Sequence, residues 1–293
     1  MNDVIIGLGE VLWDILPEGR KIGGAPANFA YHVSQFGLNS RVVSAIGEDA
    51  SGAEILENFK QKHLKYHVDK VPYPTGTVLV ELDGQGVPRY EIRENVAWDN
   101  IPFTPSLEKL ARRTCCVCFG SLAQRNVISR TSVYLFLDSM PADSYKVFDV
   151  NLRQEFYTKE VVCESLYRCN ILKLNDEELK VMGRLLGYPE ESPEEQCRIL
   201  LHDFDLKILI LTCGVKGSYV FTPGNVSFLE TPKTEVADTV GAGDSFTAAF
   251  CCAVLKGRQV GAAHRLAADV SAFVCSQQGA MPVLPDELKS RLD

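Results

Sequence analysis

The chain has 293 residues, 46% of them hydrophobic and 23% charged, with a formal net charge of −8. That length spans one large α/β core or two average domains, and the composition is that of a globular chain able to bury a full core. The acidic balance argues against nucleic acid or a membrane surface as partner, because both call for a net basic face, while a few aimed donors still suffice for an anionic small molecule.

The opening MNDVIIGLGEVLWD has no basic stretch followed by an apolar signal core, and no apolar run in the chain reaches membrane-spanning length, so the expected location is the cytoplasm. The ten cysteines are scattered, mostly in apolar runs; CCVC at 115–118 comes closest to a zinc-type pair, but no second CxxC pair accompanies it. They read as buried, reduced thiols. VIIGLG at 4–9 predicts a buried strand and PANFAYHVSQFG at 26–37 a helix. GLGEVL superficially matches a dinucleotide fingerprint, but the third glycine and the acid ending a second strand are missing, which excludes a dehydrogenase. RVVSAIG at 41–47 is a second strand, and SGAEILENFKQKH at 51–63 the helix after it.

From Thr75 to Val96 the rhythm changes to two strands joined around Asp83-Gly84-Gln85-Gly86, a hairpin signal. With the extended piece from Val11 to Ile22 they form a small antiparallel sheet built from two parts of the chain. Such a sheet is placed either to cover a site at the strand ends as a lid or to make contacts in a homodimer, and the two uses are compatible. The predicted division is an α/β core of 1–10, 23–72 and 97–293, and a lid of 11–22 and 73–96. Beyond it, CCVCFG, YKVFDV, NILKLN and LKILILTCG are further strands, each followed by a stretch of helical spacing. This alternation predicts a mostly parallel sheet between helical layers.

The last informative stretch is DTVGAGDSFTAAF, Asp238 to Phe250. Its second half is a buried helix. Gly241, Ala242 and Gly243 leave the start of that helix bare, so that an anion can approach its unpaired N–H groups and partial positive charge. Asp244 beside such an anion site is electrostatically costly unless it works. A carboxylate that takes a proton from an attacking hydroxyl, next to an anion hole, is the arrangement of phosphoryl transfer. Taken alone, GxGD more often marks a first-turn acid after a flexible turn.

The whole stretch resembles the C-terminal signature of the ribokinase (pfkB) family of sugar kinases. GEVLWDILPEGRKIGGAPANFAYHVSQFG resembles that family's first signature, and FDVNLR at 148–153, KLNDEE at 173–178 and LTCGVKGS at 211–218 follow in the family's order. The resemblance covers nearly the full chain. It implies a ribokinase-like three-layer α/β/α sandwich with a mostly parallel central sheet and a small antiparallel β lid. Among the residues, it implies that Asp14, Gly23, Gly24 and Asn28 bind sugar hydroxyls, that Arg153 faces the substrate with Asp149 near the edge of the site, and that Asp244 is the base. Asn175 and Glu178 would organise Mg²⁺ and its waters beside ATP, while Asn175 also caps its helix. Thr212, Gly214, Lys216, Gly217 and Gly243 would line the ATP site. Asp238 and Val240, with Ala272 to Gly279, resemble the part of the family fold that holds a monovalent cation such as K⁺.

The family acts on sugars, nucleosides and sugar phosphates, so membership does not name the acceptor. Trp13 and the run ELDGQGVPRYEIRENVAWD look most like bacterial fructokinases, which implies transfer to D-fructose at O6. Ribose, 2-keto-3-deoxygluconate and a sugar phosphate remain alternatives; for the last, Arg20, Lys21, Arg89 and Arg93 could supply positive charge. A catalytically idle sugar sensor of the same family would be expected to lose the base or the glycines, and this chain has them all.

Overall fold

A computed structural model describes residues 4–16, 19–82, 88–188 and 192–292. Its strands are β1 (Val4–Leu8), β2 (Leu12–Leu16), β3 (Gly19–Gly23), β4 (Ser40–Gly47), β5 (Tyr66–Val71), β6 (Gly76–Leu82), β7 (Pro88–Ile92), β8 (Thr114–Phe119), β9 (Tyr145–Asp149), β10 (Ile171–Asn175), β11 (Ile208–Thr212), β12 (Ser218–Thr222) and β13 (Asn225–Leu229). Between and after them lie α1 (Ala25–Gln35), α2 (Ala50–Gln61), α3 (Pro105–Ala111), α4 (Val127–Ser139), α5 (Lys159–Arg168), α6 (Asp176–Leu186), α7 (Pro193–Asp203), α8 (Ala242–Leu255), α9 (Val260–Cys275) and the short α10 (Asp286–Lys289).

Nine strands form one sheet in the order β13-β12-β11-β10-β9-β8-β1-β4-β5. From β11 to β5 every pairing is parallel, and β12 and β13 add an antiparallel edge. The central strands are buried on both faces, which is why VIIGL, CCVCF and ILILT read as unbroken apolar runs. On one face Phe119, Phe136, Phe148, Leu172 and Leu209 pack with α3 to α7; on the other, Phe29, Val33, Phe250 and Val270 pack with α1, α8 and α9. Helix α8 is buried along most of its length, as its run of small and apolar residues requires.

The second sheet has the order β3-β2-β6-β7. The extended piece predicted from Val11 to Ile22 is two strands, β2 and β3, paired antiparallel. Strands β6 and β7 are also antiparallel, but β2 and β6 run parallel. They come from remote parts of the chain, so no hairpin dictates their direction. The predicted turn at 83–86 lies outside the described residues. The root of this sheet rests on Trp98, buried with Leu12, Val78, Ile92 and Leu122. Arg125 stacks on Trp98 and Phe156, pairs with Asp99 at 2.8 Å, and donates to the Arg93 carbonyl oxygen, tying the sheet's exit to the core. No helix among the described residues is long and apolar enough to cross a membrane.

Candidate active site

A cleft of about 980 Å³ opens where the carboxyl ends of β1, β9, β10 and β11 meet the second sheet. That is where parallel α/β sheets bind ligands, because the loops there diverge. Asp14, Gly23, Gly24, Asn28, Arg153, Asn175, Glu178, Thr212, Asp238, Val240, Gly241, Gly243 and Asp244 all line it. The structure thus gathers one set of residues from positions 14 to 244. Gly214, Lys216 and Gly217 are not in its wall. They form a turn at the outer end of β11, with Lys216 exposed, and a Cβ on Gly217 would lie 2.3 Å from the Leu229 carbonyl oxygen. That glycine has a packing reason of its own.

The sugar-signature residues sit on the wall formed by β2, β3 and α1. Gly23 makes room for Asp14: a Cβ there would lie 2.3 Å from Asp14 Oδ2. Burial raises the Asp14 carboxyl to about 6, opposed by the positive charge of Arg153. Asn28, buried on α1, donates from Nδ2 to Asp244 Oδ2 at 2.7 Å, while its Oδ1 has no partner.

Gly241 stands at the N-cap of α8, and its φ of 78° is the left-handed conformation that glycine adopts freely. The start has no side-chain cap; the Ala242 N–H donates back to the Thr239 carbonyl oxygen at 3.3 Å, and the N–H groups that follow it begin the helix at the cleft. Asp244 lies in the first turn. Burial and the negative charge of Asp149 raise it to about 6, against the Asn28 hydrogen bond and the charges of Lys173 and Arg153.

Asn175 and Glu178 form a reciprocal capping box at the start of α6: Glu178 N–H donates to Asn175 Oδ1 at 2.8 Å, and Asn175 N–H to Glu178 Oε2 at 2.9 Å. The other carboxylate oxygen accepts the Leu152 N–H at 3.0 Å. Glu178 therefore also holds the loop that carries Arg153. Within that loop Asn151 and Gln154 have φ of 44° and 48°, a left-handed conformation that non-glycine residues adopt only when their surroundings hold them there. With both oxygens already accepting backbone donors, Glu178 fits an ion reached through water better than direct ligation. Among the described residues no group of three or more His, Cys, Asp or Glu side chains is arranged to hold a metal.

Asp238 ties its loop to the segment after α9. It accepts the Val240 N–H on Oδ1 and the Gly279 N–H on Oδ2, each at 3.0 Å, and the Cys275 carbonyl oxygen accepts the Ala237 N–H at 2.9 Å.

Sequence reasoning missed three groups. Glu10, two residues beyond β1, lines the cleft; burial pushes its carboxyl up to about 7, and its Oε2 has no partner. Lys173 and Asp149 pair at 2.9 Å beneath the cleft, so Asp149 lies under the site and not at its edge. His32, one helical turn beyond Asn28, bonds the Ala280 carbonyl oxygen at 2.8 Å. A titratable residue inside an apolar stretch was the only local signal for any of them.

Residues 18–287 match the family described as pfkB family carbohydrate kinase. The chain is 28% identical to an ATP-dependent 6-phosphofructokinase of Thermoanaerobacterium thermosaccharolyticum over 99% of this chain and 94% of that one. It is 26% identical to a fructokinase of Escherichia coli, over 97% of each chain. An uncharacterized sugar kinase from Pyrococcus horikoshii, solved in complex with ATP, superposes with a TM-score of 0.83 at 25% identity, covering 99% of both chains.

Proposed function

The chain belongs to the pfkB family of carbohydrate kinases, and from that premise we propose that it transfers the γ-phosphoryl group of ATP to an unphosphorylated hexose, D-fructose at O6. The observation that carries the reading is the position of Asp244: a carboxylate in the first turn of α8, within the cleft, directly beside the uncapped helix start. A base and an anion hole so close together serve a hydroxyl that attacks a phosphoryl group.

In this reading Asp14 and Asn28 accept and donate hydrogen bonds to the sugar hydroxyls, Gly23 and Gly24 let the ring approach the backbone, and Arg153 donates from the opposite loop. Asp244 takes the proton of the attacking hydroxyl. The backbone N–H groups of the α8 start, from Gly241 to Asp244, stabilise the charge on the group in transit. Asn175 and Thr212 lie on the nucleotide side, with Gly214, Lys216 and Gly217 beyond them. Mg²⁺, arriving on the ATP phosphates and held through water by Glu178, would neutralise their charge. A monovalent cation such as K⁺ beside Asp238 would stiffen the loop that leads into α8. The second sheet acts as the lid over the sugar.

The lid's cations support an uncharged acceptor. Arg20 is engaged, paired with Glu54 and stacked on Trp13, and of Arg20, Lys21 and Arg93 only Lys21 lines the cleft. A second reading, fructose 6-phosphate, draws on the similarity to a 6-phosphofructokinase and would use Lys21 with Arg153. The test is ADP release from Mg·ATP over D-fructose, D-ribose, 2-keto-3-deoxygluconate, fructose 6-phosphate and adenosine, with Asp244→Ala as control. Preference for fructose, lost in the variant, is the expected result. Preference for another sugar discards the fructose assignment, and silence on all five favours a sugar sensor.

A further inference from the structure

Lys173 is the last but two residue of β10, inside the apolar run ILKLN. Its side chain is 10% exposed, yet it lines the cleft. The ammonium lies against the start of α8: a Cβ built on Gly243 would sit 2.8 Å from Nζ. Gly243 is thus bare on the side that faces Lys173, and it has no positive φ to explain the glycine otherwise.

One of the three N–H donors of Nζ is committed to Asp149 Oδ1 at 2.9 Å. Asp149 is itself anchored, with Thr247 Oγ1 of α8 at 3.4 Å from its Oδ2. Taking an ammonium and a carboxylate out of water is costly, and a buried pair of this kind rarely improves on an apolar pair for stability alone. Here the pair stands beside a helix start whose N–H groups are uncapped, and its cation borders the cleft where Asp244 lies. A group in transit between two oxygens spreads charge over three equatorial oxygens, more than one helix start covers.

We infer that Lys173 is a catalytic residue: oriented by Asp149 and admitted by the bare Gly243, its ammonium donates to a non-bridging oxygen of the phosphoryl group in flight. This deepens the kinase reading and rests on it. The bond from the acceptor oxygen to the γ-phosphorus forms as the bond to the β,γ-bridging oxygen breaks. The hydroxyl proton goes to Asp244, the electron pair leaves on ADP, and Lys173 keeps its protons throughout.

The test compares wild type, Lys173→Met and the double variant Lys173→Met/Asp149→Asn. Turnover on the preferred sugar, thermal midpoint, and binding of Mg·ADP with and without fluoroaluminate are measured for each. Lys173→Met should lose at least about 10²-fold in kcat, as expected for removal of a transition-state donor, and should also melt lower because Asp149 is left unpaired. The double variant should recover the midpoint without recovering turnover, and should bind Mg·ADP normally while losing the tighter binding conferred by fluoroaluminate. Turnover of the double variant within about threefold of wild type, on the scale of a small transition-state change, would reduce Lys173 to a partner of Asp149. Equal fluoroaluminate binding by wild type and double variant would also overturn the inference. If wild type turned over no sugar, the acceptor reading would fail, and the fluoroaluminate comparison would still decide the role of Lys173.

Discussion

The Nδ2 of Asn28 donates to Oδ2 of Asp244 at 2.7 Å, joining residues 216 positions apart. The bond engages one carboxylate oxygen and leaves the other outside it, so in the proposed reading the amide that meets the sugar also orients the base. It favours the ionised carboxylate, which is the form that can accept a proton.

Replacing Asp244 by Asn keeps the shape and removes the basicity. The expected outcome is a loss of at least about 10²-fold in kcat, with sugar affinity by calorimetry changed little. Turnover close to wild type would remove Asp244 from its proposed role.

The pH profile follows from the same carboxylate. Asp244 titrates at about 6, so kcat/KM should fall in proportion to its ionised fraction as the pH drops through that value. Asn28→Ala removes a contact that favours the charged form, and its acidic limb should move to higher pH. A limb that stays in place, measured from pH 5 to 8, would contradict the coupling.

Glu10 makes stability depend on pH in the opposite sense to a salt-bridged acid. Its carboxyl is raised from 4.5 to about 7 in the folded state. Between those values the unfolded chain releases the proton first, so the folded state loses stability as the pH rises from 4.5 to about 7. Glu10→Gln cannot ionise. It should raise the thermal midpoint relative to wild type more at pH 8 than at pH 5; an equal difference at both would show that Glu10 is not held neutral.

The two glycines of the helix start should fail differently. At Gly241 alanine would be strained by φ of 78°, and its Cβ would lie 2.8 Å from Ala280 Cα, so Gly241→Ala should cost at least about 1 kcal/mol by denaturant titration. At Gly243 the new methyl meets only the end of the Lys173 side chain, which can move. Gly243→Ala should leave stability nearly unchanged while lowering kcat. Equal stability losses would contradict this division.

Much of the fold was legible because it is written in local runs. Strands buried on both faces show as continuous apolar stretches, and the α8 start shows as glycines before an acid. The β2–β6 pairing was not legible: it joins Leu12 to Gly76, and nothing in either strand states the direction in which they meet. Glu10 and Lys173 were missed for a related reason. Each is a single ionisable residue in an apolar context, and only the chain packed around it reveals that one faces the cleft and the other faces Gly243. Asp149, expected near the edge of the site, is drawn beneath it by that same lysine.

The polar face of α1 has a consequence for how the protein is made. Asn28 and His32 leave the ribosome early, while their partners, Asp244 and the Ala280 carbonyl, arrive more than two hundred residues later. Contacts of such long sequence separation close slowly. Until they do, the nascent chain carries two polar groups with nothing to bind, on the surface that α8 will cover. A chain released before residue 244 would carry Asp14 and Asn28 but neither Asp244 nor α8, leaving Phe29 and Val33 without the helix they pack against.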